Sequence, residues 1–448
     1  MRARVVWQPL AVVGGLALAV WLLWLWGREL DGVPGVSLLT GAEPFTGWWA
    51  VRWGWATAVA VAILAAVVAF GPRVSLTLRW PALLLAGWGT SLLWCVVLAW
   101  TQRFTTLVEP LRNANDYLAA VPLAREDLGA FVRTFTDRIA EYPLHVRGHP
   151  PGLVVILAAM DRIGLGGEWC AAALIVLAGS SCVVAVAVTL RRLGGRDGEL
   201  VARRALPAAV LAPAALWIAT SPDAFFAAVL TWGVALLAIA TTAEPPWVRN
   251  VATVGAGMLL GLCPFLSYGL LPMGLLALVP AFVTRRWGPT LAAGALVLVA
   301  VLAWGAAGFW IWDGVAATHA EWNAGTGTGR PYWYFLVVDL VLLAVLVGPA
   351  GVGGLARWRR LPRAARALVA VAVVAALIGA LGGFERGEVE RIWLPLAFWV
   401  LPAAATLGGD GAGAGAVGGG SGRARIRGWL VAQGGTALLL ETVLLSPW

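Results

Sequence analysis

Two of the chain's three histidines stand four residues apart in the stretch YPLHVRGHPPG (142–152), with an arginine between them and a Pro-Pro pair directly after. Imidazole exchanges a proton near neutral pH and hydrogen-bonds hydroxyls and anions. A guanidinium presents a planar fork of donors that matches phosphate. His145, Arg147 and His149 are therefore candidates for holding an anion or a sugar, although a histidine at such a place also serves simply to bond a carbonyl or cap a helix. A metal held by His145 and His149 would need ligands that the sequence does not supply, so no metal site is assigned. A second candidate is the acid of NDYL (115–118). A carboxylate beside an aromatic ring, as in Asp116–Tyr117, is equipped to take the proton of a hydroxyl. The plainer alternative is an ion pair with Arg112, one helical turn earlier. FERGEVERIW (384–393) adds Arg386 and Arg391, two phosphate-suited cations, with Glu385, Glu388 and Glu390 to balance them. Asp223, in TSPDAFF (220–226), is either a site residue or a helix N-cap. Asp339 interrupts an apolar run, where an unpaired acid costs ~2.5–3.5 kcal/mol, so it is either functional or paired with a neighbouring helix. His319, Glu321 and Trp322 precede a Gly-Thr run that reads as a lid or a plain loop.

These residues are scarce because the rest of the chain is apolar. The sequence has 448 residues, 60% hydrophobic and 12% charged, against about half and a quarter in soluble domains. Apolar runs repeatedly reach the ~20 residues that span a bilayer as a helix. The fold class is an all-α polytopic membrane protein, a single integral membrane domain over 1–448. About 13 crossings are expected, near 9–26, 50–70, 81–100, 169–190, 205–221, 223–243, 250–267, 269–284, 289–311, 333–350, 366–383, 392–408 and 428–445. The net charge of +9 is spent on topology and not on nucleic acid. With the N-terminus inside, Arg2/Arg4, Arg73/Arg79, the stretch 191–204, Arg249, Arg285/Arg286, 357–366 and 423–427 all fall on the cytoplasmic side. That layout requires the short segment 151–165, which carries Asp161 and Arg162, not to cross. Cys95, Cys170, Cys182 and Cys263 lie in apolar runs and read as small buried hydrophobes. The first apolar run lacks a small-residue cleavage site and reads as a retained span. Residues 408–422 read as a Gly-rich flexible linker. The 27 tryptophans read as interfacial anchors.

Three loops are left on the outer face, 101–150, 312–332 and 382–391, and they carry all three histidines. In the first, 109–122 reads as a helix with Pro110 in its first turn. A second, amphipathic helix places Leu128, Phe131, Val132, Phe135, Ile139 and Tyr142 on one side, as in helices that lie in the membrane interface.

An acidic residue ahead of an aromatic in an early outer loop, amphipathic juxtamembrane helices, and then a basic residue before Pro-Pro resemble the GT-C class of polyprenyl-phosphate-sugar-dependent glycosyltransferases. That class includes protein O-mannosyltransferases, the lipid A aminoarabinose transferase and actinobacterial arabinosyl- and mannosyltransferases. TSPDAFF, RPYWYF (330–335) and ERIWLPLAFWVLPA (390–403) are similar to further segments of the class, in the same order. The resemblance implies a membrane glycosyltransferase, moving a hexosyl or pentosyl group from a polyprenyl phosphate to an envelope glycan, lipid or protein. Transfer would take place at the outer face of the plasma membrane, with inversion. It implies Asp116 as the base, His149 in the class's basic position before Pro-Pro, and Arg391 as a phosphate ligand. Tyr117, His145, Arg147, Arg386 and Asp223 complete the expected substrate-binding set. The class often has two adjacent acids where Asp116 follows Asn115, so a divalent cation stays open as a cofactor. The alternatives are a lipid-linked-sugar transporter or flippase, which calls for inverted repeats around a midplane site, and a non-catalytic membrane assembly factor of the same fold.

Overall fold

Long apolar runs fold as helices because a bilayer offers no other partner for backbone N–H and C=O groups. The computed structural model describes residues 2–100, 104–325, 327–383, 385–408 and 420–447. α1 (Arg2–Leu30) precedes three two-residue strands, β1 (Gly41–Ala42), β2 (Phe45–Thr46) and β3 (Trp48–Trp49). α2 (Trp55–Thr77) and α3 (Trp80–Ala99) lead into a polar stretch of 3-10 turns and short helices: α4 (Val121–Glu126), α5 (Leu128–Arg133), α6 (Leu144–Arg147) and α7 (Gly152–Arg162). The remaining helices are α8 (Glu168–Ser180), α9 (Cys182–Val210), α10 (Pro222–Thr242), α11 (Pro246–Leu266), α12 (Leu270–Met273), α13 (Val279–Thr284), α14 (Gly288–Ala306), α15 (Ile311–Ala324), α16 (Tyr332–Leu355), α17 (Arg363–Gly382), α18 (Val389–Ile392), α19 (Leu394–Val400) and α20 (Gly420–Val443). β4 (Leu444–Leu445) closes the described chain by pairing antiparallel with β3.

Among the described residues, nine helices are long and apolar enough to cross a membrane, and two shorter apolar pieces cover Leu270–Thr284 and Leu394–Gly408. One of the nine, Glu168–Val210, bends at Gly195 (φ 56, ψ −132), a conformation suited to glycine. The crossings expected at 205–221 and 428–445 are not among the nine: the first falls on the end of α9 and a 3-10 turn over Pro213–Trp217, and the second on α20. The arginine-rich stretch 191–204 is thus a bend within helix and not a loop. In segment 151–165, α7 has 11 residues, about 16 Å at 1.5 Å each, half a bilayer core. The linker expected at 408–422 has residues 409–419 outside the described residues.

Small and polar residues let these helices pack without a water-driven force. A Cβ on Gly179 would stand 2.7 Å from Ala224, and one on Gly233 would stand 2.8 Å from Leu260. α16 breaks at Gly348 (φ 75), just before Pro349. Gln433 of α20 repairs the break from inside. It donates to the carbonyls of Val347 (2.9 Å) and Ala208 (3.2 Å), and accepts from the N–H of Ala350 (2.8 Å).

The loops expected on the outer face depart from expectation in shape. Residues 109–122 form no single helix: Asn113 is extended (ψ 133) and Asp116 is extended (ψ 170), splitting the stretch into 3-10 turns. Local hydrogen bonding by Asn113, whose Oδ1 accepts from the N–H of Asn115 at 2.9 Å, outcompetes the helix. The amphipathic helix likewise stops at Arg133, yet its apolar face survives. Phe131, Phe135 and Tyr142 are buried together, with Phe135 stacked on Tyr142 (5.1 Å) and edge-on to Phe309 (5.7 Å). The loop expected over 312–332 is mostly helix, α15. A fourth segment, 31–54, joins the same end: Ser37 N–H donates to the carbonyl of Gly329 (2.8 Å), and Thr46 N–H to Glu390 Oε1 (2.7 Å).

Candidate active site

HPPG explains itself once α7 is in place. A Cβ on Gly152 would lie 2.2 Å from the carbonyl oxygen of Phe265, so only glycine lets α7 pack against the end of α11. The prolines fix the backbone into that contact. The preceding residues are stitched to the 110–120 turns, since His145 N–H donates to the carbonyl of Asn115 (3.0 Å). This brings Asp116 against His145.

Asp116 is 4% exposed and caps the 3-10 turn 117–120: Oδ1 accepts the N–H of Tyr117 at 2.7 Å. Oδ2 faces His145 Nδ1 at 3.3 Å. Arg112 lies elsewhere, paired with Glu168 at 2.8 Å, so the expected Arg112–Asp116 pair does not form. A proton on His145 Nδ1 would satisfy Asp116 Oδ2 and make Nε2 the ring's acceptor nitrogen. Carboxylate and imidazole form a base pair of the kind in which the acid orients the histidine.

His149 turns inward. Its Nδ1 donates to the carbonyl of His145 (2.9 Å), and its ring packs on Tyr117 (5.6 Å) and Phe226 (6.1 Å). Burial pushes it down to about 4, with Asp223's charge opposing and Arg391's assisting. A neutral His149 bonds a carbonyl, as the plainer reading anticipated, and supplies no charge to a phosphate at neutral pH. Tyr117 is 1% exposed, and its hydroxyl has no hydrogen-bond partner among the described residues. Burial raises its ionisation well above the ordinary range, and the charges of Asp223, Arg391, Asp116 and Glu388 all act on it. Tyr117 thus sits where the elements meet.

The second half of the site is a chain of charges, buried at Asp223 and Arg391 and a quarter exposed at Glu388. Arg391, at the start of α18–α19, places Nη1 2.7 Å from Asp223 and Nη2 2.7 Å from Glu388. Asp223 is in the first turn of α10, where a carboxylate is favoured, and accepts from Ser221 Oγ (3.2 Å). Its neighbours raise Arg391 against the opposing effect of burial. Burial alone would raise Glu388, but Arg391 and Arg330 outweigh it and hold the acid at about 2. Arg330 Nη2 is 3.4 Å from Glu388 Oε1. Glu388 (φ 60) and Thr220 (φ 68) both hold left-handed backbone, costly for side chains with a Cβ.

The remaining candidates frame this core. Arg386 donates to the carbonyls of Gly383 (3.0 Å) and Arg330 (2.9 Å) and lies over the rings of Trp322 (5.0 Å) and Tyr332 (5.6 Å). Arg147 pairs with Glu321 (3.3 Å) while Thr318 donates to its carbonyl (3.0 Å), which docks α15 at the rim. Asp339 accepts the N–H of Gly387 at 3.2 Å. The described residues contain no group of three His, Cys, Asp or Glu arranged to hold a metal. Arg330 and segment 31–54 were not among the candidates. The cue for Arg330 was a lone arginine in GTGRPYW, just ahead of an apolar run.

No family model matches the sequence, and no curated protein does so at the significance required. Two solved structures resemble the fold in part. ArnT from Cupriavidus metallidurans in the apo state is 17% identical, with a TM-score of 0.40 over 65% of this chain and 58% of that one. The same protein bound to undecaprenyl phosphate is 16% identical, with a TM-score of 0.41 over 64% of this chain and 58% of that one. The chain thus matches a little over half the length of either.

Proposed function

We propose that this protein is a GT-C-type membrane glycosyltransferase that moves a sugar from a polyprenyl phosphate to a hydroxyl of an envelope glycan, lipid or protein at the outer face. The observation that carries the proposal is the pairing of Asp116 with His145 next to the Asp223–Arg391–Glu388 chain, built from separate segments. The acceptor oxygen attacks the anomeric carbon from the face opposite the phosphate. Its proton passes to His145 Nε2, with Asp116 holding the ring and stabilising the imidazolium. The bond from the anomeric carbon to the polyprenyl phosphate oxygen breaks, and the released phosphate carries the charge. Glu388, a carboxylate between Arg391 and Arg330, occupies the place a phosphate would take. It is a quarter exposed and is the partner that the donor displaces, while Asp223 stays on Arg391. No resident metal enters this scheme.

The test is transfer of radiolabelled sugar from a panel of polyprenyl-phosphate donors to membrane extracts, with and without the purified protein. Protein-dependent label in an envelope fraction is expected with one donor class. Folded protein that transfers from none of them rejects the proposal. Orientation is read separately: a cysteine at Ala130 should react with an impermeant reagent from outside, and one at Arg196 should not.

A further inference from the structure

The end of the bundle away from Asp223 carries a groove of about 740 Å3, open to the outside. α10 separates the two ends, since its 21 residues cover roughly 31 Å at 1.5 Å per residue. The groove lies where α10 ends and α11 and α14 begin, and its polar lining is Glu244, Arg249, Asn250, Thr253 and Arg286. Arg286 reaches the carbonyl of Thr241 only at 3.5 Å, and its side chain is exposed. Arg249 is half-buried on the first turn of α11. Deeper in, the groove is shut: a Cβ on Gly257 would stand 2.6 Å from Leu296, and one on Gly261 3.1 Å from Ala300. Whatever enters is held at the mouth.

The mouth is at headgroup depth. Trp247 and Trp287, both exposed, flank it, and tryptophan favours the membrane–water interface. Below them α11 exposes Val251 and Met258, and α14 exposes Leu291 and Leu298, apolar surfaces that suit acyl chains. The lining has two guanidiniums and one acid, and Arg285 adjoins Arg286 in the chain, so the balance is positive. An arginine that only marks the cytoplasmic side has no need of a concave site; these two share one.

We propose that this groove binds the headgroup of an anionic phospholipid, its phosphodiester between Arg249 and Arg286 and its acyl chains along α11 and α14. The site is independent of the catalytic proposal and lies in the opposite leaflet. The probes are phosphatidylglycerol, phosphatidylcholine and inorganic phosphate, added to the delipidated full chain in mild detergent. Bound lipid is read by native mass spectrometry and binding by the shift in unfolding temperature. Phosphatidylglycerol should bind saturably, and Arg249→Ala with Arg286→Ala should weaken it roughly thirtyfold. Arg73→Ala with Arg196→Ala, exposed arginines outside the groove, should leave it unchanged. Equal weakening by that control pair would make the effect one of overall charge and overturn the site. So would equal binding of phosphatidylcholine, or inorganic phosphate that stabilises as well as the lipid does. If the double variant unfolds earlier without lipid, Arg249→Gln alone, at matched stability, decides on the same readouts.

Discussion

The two ends of the bundle use charge in opposite ways. At the far end, an arginine is placed on a helix C-terminus. Arg203 donates to the carbonyls of Ser75 (2.8 Å) and Leu78 (2.9 Å) at the end of α2. Cations there satisfy orphan carbonyls and complement the helix dipole at little cost. At the Asp116 end, acids and arginines are buried against one another, where desolvation consumes much of what pairing returns. Three of the four non-glycine residues with positive φ among the described residues, Leu39, Thr220 and Glu388, also belong to this end. A fold that needed charge only for topology would be built like the far end. The costly end is where the proposed chemistry lies, and each test below bears on that contrast.

The largest effect should come from Asp116. Asp116→Asn keeps the Oδ1 cap on Tyr117 but removes the acceptor that orients His145, so transfer should fall roughly 10²–10⁴-fold with the unfolding temperature unchanged. His145→Gln should lose a similar amount. Near-normal turnover by the Asn variant would return Asp116 to a purely structural role.

Arg391 comes next, and here the effect is on the fold. Because Arg391 is 4% exposed and holds two acids, Arg391→Ala should destabilise the protein by about 3–5 kcal/mol, seen as a lowered unfolding temperature. Adding Asp223→Asn and Glu388→Gln should recover much of that, since no stranded charge remains. A single variant as stable as the parent would show that the pair is not buried as drawn.

The pH dependence of stability gives a smaller signal. His149 sits at about 4 when folded against an ordinary 6.5, so the unfolded chain binds its proton more readily. Its contribution is complete above pH 6.5 and is lost as pH falls towards 4, by at most about 3 kcal/mol. Glu390, raised by burial to about 7, acts in the opposite sense, losing its contribution as pH rises from 4.5 to 7. The informative quantity is therefore a difference. Relative to the parent, His149→Gln should gain stability between pH 6.5 and pH 4. A difference flat with pH would mean that the ring is not buried neutral.

The sequence revealed the parts of this contrast more readily than their partners. Helix positions followed from apolar runs, and the face Phe131, Phe135 and Tyr142 from its spacing, because burial is periodic. Asp116, Asp223 and Arg391 stood out because charge is rare. What could not be read was pairing across distance: Asp223 and Arg391 are 168 positions apart, and no local pattern joins them. Gln433 is a polar residue in an apolar helix, and its partners exist only where α16 breaks at Gly348. Segment 31–54 has no titratable cluster to draw attention, and its bonds to Gly329 and Glu390 use backbone N–H groups that any sequence would carry. The helix expected at 109–122 failed because Asn113 and Asp116 offered the backbone closer hydrogen bonds than the helix did.

The smallest effect should come from Arg112, and it is the sharpest control. One turn before Asp116 on a regular helix, Arg112 would be the natural partner of that acid, and removing it would shift the acid's proton affinity and slow transfer. The broken backbone instead sends Arg112 outward to Glu168, with side chains 49% and 32% exposed. Exposed pairs of this kind contribute little, since water and salt screen both charges. Arg112→Ala should therefore leave transfer within about twofold of the parent and its pH profile unmoved, since it alters only a pair of that weak, screened kind. A displaced profile would put Arg112 back beside Asp116 and redraw the 110–120 turns as the helix that spacing alone suggested. An unmoved profile, set beside the loss in Asp116→Asn, would assign the acid's function to His145 and to the buried end of the molecule.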